Sequence, residues 1–357
     1  MPSFLLTIDV EDWFQVENLR PWMPFSTWGS RELRVESNVH KLLDLFDGVK
    51  LDAGRRKSKV PSSSLEGNNT PESRFDSTGR IASTTTTPET FSLKPNPVEK
   101  AQATFFILGW IAERLPHLVR EISARGHEVA SHGSSHQMCS RLSDSDLRSE
   151  LVDSKRLLED ITGMEVEGFR APNFSVDDRV LSVLQETGYR YDSSYNSFSI
   201  HGRYGKLNLN GNHAGIAHKL TGGFLELPIS NLSLFPFPAL VTLGTRNFRH
   251  FRHFPLPWGG GAYFRLLPLW MFAIGVSSIL KREGAYLFYI HPWEVDPGQP
   301  KVEQASFVSR FKHYKNLETT EAKLKKLIAN LSHCSFVACR DYVNGIEWST
   351  VRNKQDM

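Results

Sequence analysis

Three carboxylates crowd the segment TIDVEDWF, residues 7–14, near the start of the chain. Asp9, Glu11 and Asp12 fall within four positions, between an apolar run and two aromatic residues. Mutual repulsion disfavours such crowding unless a cation or a shared proton offsets it. The segment is therefore a candidate to hold a metal ion or to accept a proton during a reaction. A solvated acidic turn or a helix N-cap is the simpler structural explanation.

A pair of histidines in SHGSSH offers nitrogen ligands for such a metal. His132 and His136 are four positions apart, and this spacing brings two rings together on a helical turn or at a strand-to-loop corner. One carboxylate from TIDVEDWF would complete a site with open positions for water and substrate. Such a site polarises a carbonyl group and lowers the pKa of bound water. The alternative is an ordinary polar loop, since the chain has 13 histidines.

Three later residues have side chains suited to the same chemistry. Arg170 in FRAPNF can hold a carboxylate through two hydrogen bonds, although a surface arginine at a strand end is the simpler explanation. Asp192 lies in YDSS, on the next extended segment. His291 ends the strongly apolar strand in LFYIHPWE. It is either a core histidine or a general acid that an aspartate orients through its far ring nitrogen.

Repeated strand-like and helix-like segments position these residues. Predicted strands include SFLLTIDV, ATFFILG, HEVASHG, VEGFRAP and AYLFYIHPWE, and capped helical patterns such as SDSDLRSELVDSKRLLEDITG lie between them. About six to eight such units predict an α/β barrel, with an open doubly wound sheet as the alternative. The candidate residues all lie at or just after the C-terminal end of a predicted strand, the face where α/β barrels place active sites: Asp9, His132, Arg170, Asp192 and His291.

One segment interrupts this alternation. Residues 51–100 are rich in Ser, Thr, Pro, Gly and charge and poor in apolar residues, so they cannot bury enough surface to offset their ordering entropy. They connect the end of a helix to the start of a strand, which in a barrel is the face opposite the chemistry. We therefore predict one barrel domain over residues 1–357, with a disordered insertion at 51–100 that leaves the site intact.

Together these motifs resemble the polysaccharide deacetylase family, which is carbohydrate esterase family 4 or the NodB-homology domain. The order matches: an acidic motif, H-x-x-x-H, R-x-P, an aspartate motif and a late histidine. The sequences around these motifs also resemble the subgroup encoded beside exosortase-associated exopolysaccharide genes. They are DVEDWF, ATFFILGW, GHEVASHGSSH and FYIHPWEVDP. The resemblance implies a distorted (β/α)7 barrel and a hydrolase that removes N-acetyl groups from amino sugars of a polysaccharide. It also implies a divalent metal cofactor, usually zinc.

The resemblance implies a role for each residue that matches a family motif. Asp9 matches the catalytic base, and Arg170 matches the arginine that orients this base. Asn173 lies where a backbone N–H helps to form the oxyanion hole. His291 matches the general acid, and Asp192 matches the aspartate that tunes it.

The metal ligands follow the family with one departure. His132 and His136 match the metal-binding histidines. Most members have two adjacent aspartates, base and then ligand, but here a valine follows Asp9, so the third ligand must be Glu11 or Asp12. Side chains two positions apart on an extended strand share a face, which favours Glu11. Asp12 is the alternative if the strand has already turned.

Aromatic residues near the motifs fit a sugar-binding groove, although core packing is the default for about half of them: Trp13, Phe14, Trp110, Phe174, Trp258, Tyr263 and Trp293. Trp293, two residues after the late histidine, is the candidate for substrate contact. The segment RNFRHFRHFPLPWGGG, residues 246–261, interleaves cations with phenylalanines. It is a candidate substrate lid or membrane-near loop, with a flexible basic loop as the alternative.

Composition restricts the partners and the compartment. The net charge of +3 gives no reason to expect a nucleic-acid partner. Three cysteines without C-x-x-C spacing predict no disulfide framework and fit a reducing compartment. The N-terminus has no basic region before its short apolar stretch, so we expect no secretory signal. The longest apolar run, residues 266–280, is shorter than the roughly 18–20 residues that span a bilayer. It predicts a buried helix, with membrane-surface contact as the alternative.

We therefore expect a cytoplasmic enzyme, at most associated with the inner face of the membrane. Its expected substrate is an N-acetylated polysaccharide or a lipid-linked oligosaccharide of exopolysaccharide biosynthesis. One alternative is an allantoinase-like cyclic-amide hydrolase, since such relatives share the fold but can lose the metal histidines. Another is a non-catalytic carbohydrate-binding barrel. The presence of His132 and His136 argues against the first, and the intact acidic and late-histidine motifs argue against the second.

Overall fold

The structure of the chain is a computed structural model that describes residues 1–49, 101–198, 207, 209, 213–234 and 254–346. The predicted insertion at 51–100 lies outside the described residues, as do residues 246–253 of the basic aromatic segment. All of the described residues belong to one compact unit. A single domain extending over residues 1–357 stays a prediction.

The described residues contain twelve strands: β1 Ser3–Val10, β2 Thr104–Ile107, β3 Glu128–Ser131, β4 Gly168–Phe169, β5 Tyr191–Asp192, β6 His213–Ala214, β7 Ala217–Lys219, β8 Leu225–Glu226, β9 Leu232–Leu234, β10 Phe254–Leu256, β11 Ala285–Ile290 and β12 Ser335–Phe336. Ten α-helices accompany them in the same residues: α1 Val35–Asp47, α2 Gly109–Arg114, α3 Pro116–Ala124, α4 Asp144–Thr162, α5 Asp178–Glu186, α6 Gly261–Leu266, α7 Leu269–Glu283, α8 Phe307–Tyr314, α9 Leu317–Asn330 and α10 Cys339–Asn344.

Seven parallel strands form the central sheet in the order β11-β1-β2-β3-β4-β5-β8. The β6–β7 hairpin continues the sheet antiparallel beyond β8, and β12 pairs with the start of β1. Single hydrogen bonds join β11, at one edge of the sheet, to the segment that follows β8 and to the segment that precedes α6. The Leu287 N–H donates to Ser230 Oγ (2.9 Å), and the Tyr289 N–H donates to the Gly259 carbonyl (2.8 Å). The predicted distorted seven-stranded barrel is therefore confirmed, rather than an open doubly wound sheet.

Local sequence signals explain where several helices begin and end. The Ser143 side chain accepts a hydrogen bond from the Asp146 N–H at the start of α4, and Gly163 ends that helix with a left-handed φ of 67°. The sequence predicts one helix over 111–126, but the structure divides it into α2 and α3. The division falls at Pro116, which has no N–H to donate within a continuous helix.

The apolar run at 266–280 is only partly a buried helix. It spans the end of α6 and most of α7, and α7 buries Phe272, Val276 and Ile279 against the core. Trp270 and Ile274, on the opposite side of α7, are 65% and 63% exposed. The prediction of a buried helix is therefore wrong for this outer face, because the run is apolar all round but packs along one side only. In the described part of the chain, no helix is both long and apolar enough to cross a membrane.

Strand β1 connects the core to the candidate site. Phe4, Leu6 and Ile8 join the larger core cluster, while Leu5 joins a second cluster with residues of β2, β3 and β11. Because side chains alternate along a strand, Thr7 and Asp9 share the face of Leu5. This face is thus apolar at the start of the strand and polar at its C-terminal end.

Candidate active site

A buried ion pair joins the first acidic motif to the arginine motif. Arg170 is fully buried, and its NH1 donates to Asp9 Oδ1 (2.6 Å) and to Thr7 Oγ1 (2.7 Å). Its remaining donors bind Ser193, with Nε to the carbonyl (2.9 Å) and NH2 to Oγ (2.8 Å). The guanidinium also stacks 4.1 Å from the Phe106 ring centroid. Arg170 thus fixes one oxygen of Asp9 and leaves the other available to accept a proton.

One carboxylate and two imidazoles converge beside this ion pair. Glu11 Oε1 lies 3.0 Å from His132 Nε2 and 2.8 Å from His136 Nε2, and all three side chains are buried. Burial alone raises the pKa of Glu11. The charges of His136 and His291 and the hydrogen bonds of both cluster histidines outweigh burial, so this pKa is well below its usual range.

The donor set of this cluster fits a divalent metal ion. One ligand atom each from Glu11, His132 and His136 lies within 4.8 Å of the others, and two imidazole nitrogens with one carboxylate oxygen are typical of zinc sites with an open position. His132 Nδ1 lies 2.7 Å from the Arg170 carbonyl, which fixes the proton on Nδ1 and leaves Nε2 facing Glu11. Such a partner is usual for a histidine that binds metal.

Asp12 does not take part in this cluster. Its Oδ2 accepts from the N–H groups of Arg34 (2.7 Å) and Val35 (3.0 Å) at the start of α1, and its Oδ1 accepts from the Trp13 N–H (2.8 Å). Burial raises the pKa of Asp12 to about 6, although these three hydrogen bonds lower it. The carboxylate therefore holds the segment between β1 and α1. Of the two acids that the sequence left open as ligands, the structure brings only Glu11 to the histidines.

His291 completes the group of predicted residues in this place. Its Nε2 lies 3.9 Å from Asp9 Oδ2 and 3.8 Å from Glu11 Oε1. Its Nδ1 lies 2.9 Å from Glu294 Oε1. Burial alone lowers the pKa of His291, but the carboxylates of Glu11, Glu294 and Asp9 outweigh it and raise the pKa to about 9. At neutral pH the imidazole is therefore protonated and can give up a proton.

The structure does not bring Asp192 to His291, contrary to the predicted tuning contact. The Asp192 carboxylate instead accepts from Ser194, with Oδ1 to Oγ (2.6 Å) and Oδ2 to the N–H (3.1 Å). Ser194 Oγ in turn accepts from the Ala171 N–H (2.7 Å). Asp192 therefore braces the segment that follows Arg170.

Glu294 occupies the position expected of that aspartate. It lies three residues after His291, in a short 3-10 helix at Pro292–Val295 that follows β11. The motif HPWE contains this glutamate, and the only sequence signal for it is the i, i+3 spacing to a histidine at a strand end.

Asp9, Glu11, His132, His136 and His291 line one cavity, which has a volume of about 290 Å³. Asn173 is on its wall with a left-handed φ of 56°. That its backbone N–H helps to form an oxyanion hole, as the resemblance implies, stays a prediction. Trp293 is also on the wall, but it is only 4% exposed and packs between the rings of His291 (5.3 Å) and His313 (4.3 Å). Its main contacts are thus with the protein.

The fold and the site define a class of protein before any comparison. It is a (β/α) barrel whose C-terminal strand ends hold an acid paired with arginine, a carboxylate with two histidines, and a further histidine. Two models of known protein families match separate parts of the chain. Residues 97–191 match the family model "Polysaccharide deacetylase", and residues 193–344 match "Domain of unknown function (DUF3473)". Residues 97–191 are therefore similar to a polysaccharide deacetylase domain.

Curated relatives match about a quarter of the chain. A peptidoglycan-N-acetylglucosamine deacetylase of Bacillus cereus is 35% identical over 91 residues, which cover 26% of this chain and 42% of that protein. A chitooligosaccharide deacetylase of Sinorhizobium fredii is 31% identical over 111 residues, which cover 28% of this chain and 52% of that protein. The matches thus span about half the length of these relatives or less.

A solved structure confirms the fold over nearly the whole chain. A Mycobacterium smegmatis protein assigned to the polysaccharide deacetylases superposes with a TM-score of 0.50 at 16% identity, covering 96% of this chain and 88% of that one. The barrel is accordingly of the polysaccharide deacetylase type.

Proposed function

We propose that this chain is a metal-dependent hydrolase that removes N-acetyl groups from the amino sugars of a polysaccharide. One observation carries the proposal: an acid paired with arginine, a carboxylate with two histidines and a further histidine all line one cavity. These are an acceptor for a proton, a ligand set for a metal and a donor of a proton, which amide hydrolysis requires together.

The residues have complementary tasks in the proposed reaction. A divalent ion held by Glu11, His132 and His136, with zinc as our proposed metal, would supply Lewis-acid polarisation and lower the pKa of water. Asp9 accepts a proton through Oδ2 as water attacks the amide carbon, while Arg170 holds Oδ1. His291 donates its Nε2 proton to the nitrogen as the C–N bond breaks, which releases acetate and a free amine.

The backbone N–H of Asn173 stabilises the negative charge that develops on the carbonyl oxygen in this proposal. Asn173 lines the cavity in a left-handed conformation, which supports this role, and a peptide donor needs no reorganisation during the reaction. Removing one such donor typically costs about 10²- to 10³-fold in rate.

The surrounding wall supports a carbohydrate substrate. Phe174, Tyr263 and Tyr289 offer aromatic faces and Lys312 offers a cation. The named activities of the relatives, on peptidoglycan N-acetylglucosamine and on chitooligosaccharides, belong to the same substrate class. The motif resemblance leads us to propose an exopolysaccharide or its lipid-linked precursor as the substrate, met in the cytoplasm or at the inner face of the membrane.

Acetate release with and without a chelator tests the proposed function. The protein is mixed with fully acetylated chitooligosaccharide, and free acetate is measured. We expect release that stops on chelation and returns when zinc is added back. Release that chelation does not affect would overturn the metal dependence, and no acetate from any N-acetylated glycan would favour a carbohydrate-binding barrel.

A further inference from the structure

The carboxylate of Glu294 binds His291 on the side of the ring opposite Asp9 and Glu11. Glu294 Oε1 accepts from His291 twice, from the ring Nδ1 (2.9 Å) and from the backbone N–H (3.1 Å). Glu294 is 1% exposed, so water does not compete for these contacts. With Nδ1 held in this way, the ring can present only Nε2 to the cavity.

A buried arginine holds the other oxygen of that carboxylate. Arg265 on α6 is 3% exposed, and its Nε donates to Glu294 Oε2 (2.6 Å). Its two terminal nitrogens donate to carbonyl groups at the end of α8, which belong to Lys312 (2.9 Å), His313 (3.0 Å) and Lys315 (2.8 Å). One guanidinium thus ties the glutamate to two helices, and a buried pair of this kind is rigid because each charge depends on the other.

The Glu294 carboxylate is closely packed against Gly261. A Cβ atom placed on Gly261 would lie 2.2 Å from Glu294 Oε1 and 2.6 Å from Oε2. Trp293 stacks on the His291 ring from one side and on the His313 ring from the other. The imidazole of His291 is therefore restrained at its edge by Glu294 and at its face by Trp293.

We propose that Arg265 and Glu294 are positioning residues that set the orientation of His291 as the proton donor. This inference rests on the proposed function, in which His291 protonates the leaving amine. In this chain the pair provides what the resemblance expected of Asp192, which is turned away toward Ser194. Arg265 also fixes α6 and α8, whose Tyr263 and Lys312 line the same cavity. The proton donor and one wall of the cavity are therefore held by the same arginine.

Kinetics of variants in the full chain test the positioning role. Glu294→Ala removes the acceptor, and we expect kcat to fall about 100-fold, within the range for loss of a general acid. Glu294→Gln keeps an acceptor oxygen and should recover part of this loss. Gly261→Ala leaves all polar groups in place but displaces the carboxylate, so it should lower kcat with little change in KM. Arg310 is also on α8, and Arg310→Ala, which removes its exposed ion pair with Glu303, should match the wild type.

A spectroscopic measurement separates this inference from the proposed function. Nitrogen-15 NMR of the imidazole in metal-free protein should show the His291 Nδ1 proton hydrogen-bonded in the wild type and altered in Gly261→Ala and Arg265→Lys. Wild-type signals in both variants, together with a retained kcat, would overturn the inference. If the wild type releases no acetate, the proposed function fails, but the NMR comparison still decides how His291 is held.

Discussion

Two neighbouring acids in the first motif have opposite tasks at the scale of single residues. Glu11 faces two histidines, whereas Asp12 binds three backbone N–H groups. We expect Glu11→Gln to lose bound zinc, because an amide is a weak metal ligand, with little loss of stability. Asp12→Asn should keep zinc but unfold at a lower temperature, because an amide accepts hydrogen bonds from backbone N–H groups less strongly than a carboxylate does. Zinc content by mass spectrometry and Tm by calorimetry measure the two effects.

The opposite result for the two variants would contradict this assignment. If Asp12→Asn loses zinc and Glu11→Gln retains it, the ligand assignment drawn from strand alternation is wrong. The two substitutions are matched in size and in the charge that they remove, so general electrostatic effects cancel in the comparison.

Arg170 contributes to the stability of the fold and holds Asp9, the proposed base. It is fully buried with four hydrogen bonds, so Arg170→Ala would leave Asp9 as an unpaired buried charge and should destabilise the protein by about 3–5 kcal/mol. Arg170→Lys keeps the charge but not the fork that spans Asp9 and Ser193. We expect it to fold and to lose most of kcat, as measured by acetate release.

The control for Arg170 is a nearby surface pair. Arg190→Lys alters an ion pair with Glu167 (2.6 Å), in which the arginine side chain is 55% exposed. Such pairs contribute little to stability, and this variant should match the wild type in kcat and in urea unfolding. Equal effects of the two substitutions would show that the loss at Arg170 is not specific to the site.

The sequence predicted which side chains meet in the cavity because most of the candidate residues follow strand ends. Asp9, His132, Arg170 and His291 come together as that rule implies. Asp192 shows the limit of the rule, because its position at a strand end does not determine where the carboxylate turns. Glu294 was missed because its contact with His291 depends on a short 3-10 helix and on Arg265, 29 residues earlier in the chain. No periodic pattern encodes such a contact.

At the scale of secondary structure elements, α8 contributes a buried histidine to the support of the site. His313 is on the last turn of α8, where its Nε2 lies 2.7 Å from Gln299 Oε1 and its ring stacks on Trp293. Burial, with the charge of Arg265, lowers the pKa of His313 to about 3. The folded protein therefore holds this imidazole neutral under conditions in which the unfolded chain binds a proton.

This difference predicts a loss of stability in acid. The unfolded chain protonates His313 below its ordinary pKa of about 6.5, so stability falls as the pH drops from about 6.5 toward 3. Between pH 7 and 5 the single group should cost about 2 kcal/mol. His313→Gln cannot titrate and should remove that part of the pH dependence. Urea unfolding of both proteins at the two pH values measures it, and parallel losses would contradict the assignment.

The sequence located the helices and strands well but not their lengths. Strands β4 and β5 are only two residues long, because regular pairing stops where the backbone turns to present Arg170 and Asp192. Helix α7 shows a second limit of prediction from sequence. An apolar run does not indicate which side of the helix will pack against the core. The exposed Trp270 and Ile274 result from packing, which depends on residues distant in the chain.

At the scale of the whole molecule, the described parts of the chain that precede and follow residues 51–100 contact each other directly. Strands β1 and β2 pair directly, from Thr7 with Thr104 to Val10 with Ile107. The two sides of the segment also meet at His127, whose ring lies 5.8 Å from that of Phe46 and whose Nδ1 accepts from the Ala103 N–H (3.3 Å). A linker of about ten residues can join positions this close.

We therefore predict that replacing residues 51–100 with a ten-residue Gly-Ser linker leaves the fold and the reaction intact. Shortening the connection should lower its closure entropy cost by about 1.4 kcal/mol, so stability should stay equal or rise slightly. The site residues that precede and follow the segment keep all their contacts with each other. Tm and the kcat/KM for acetate release measure the effect. A large fall in Tm would show that the segment packs on the barrel, and a fall in kcat/KM at an unchanged Tm would show that it contributes to substrate binding.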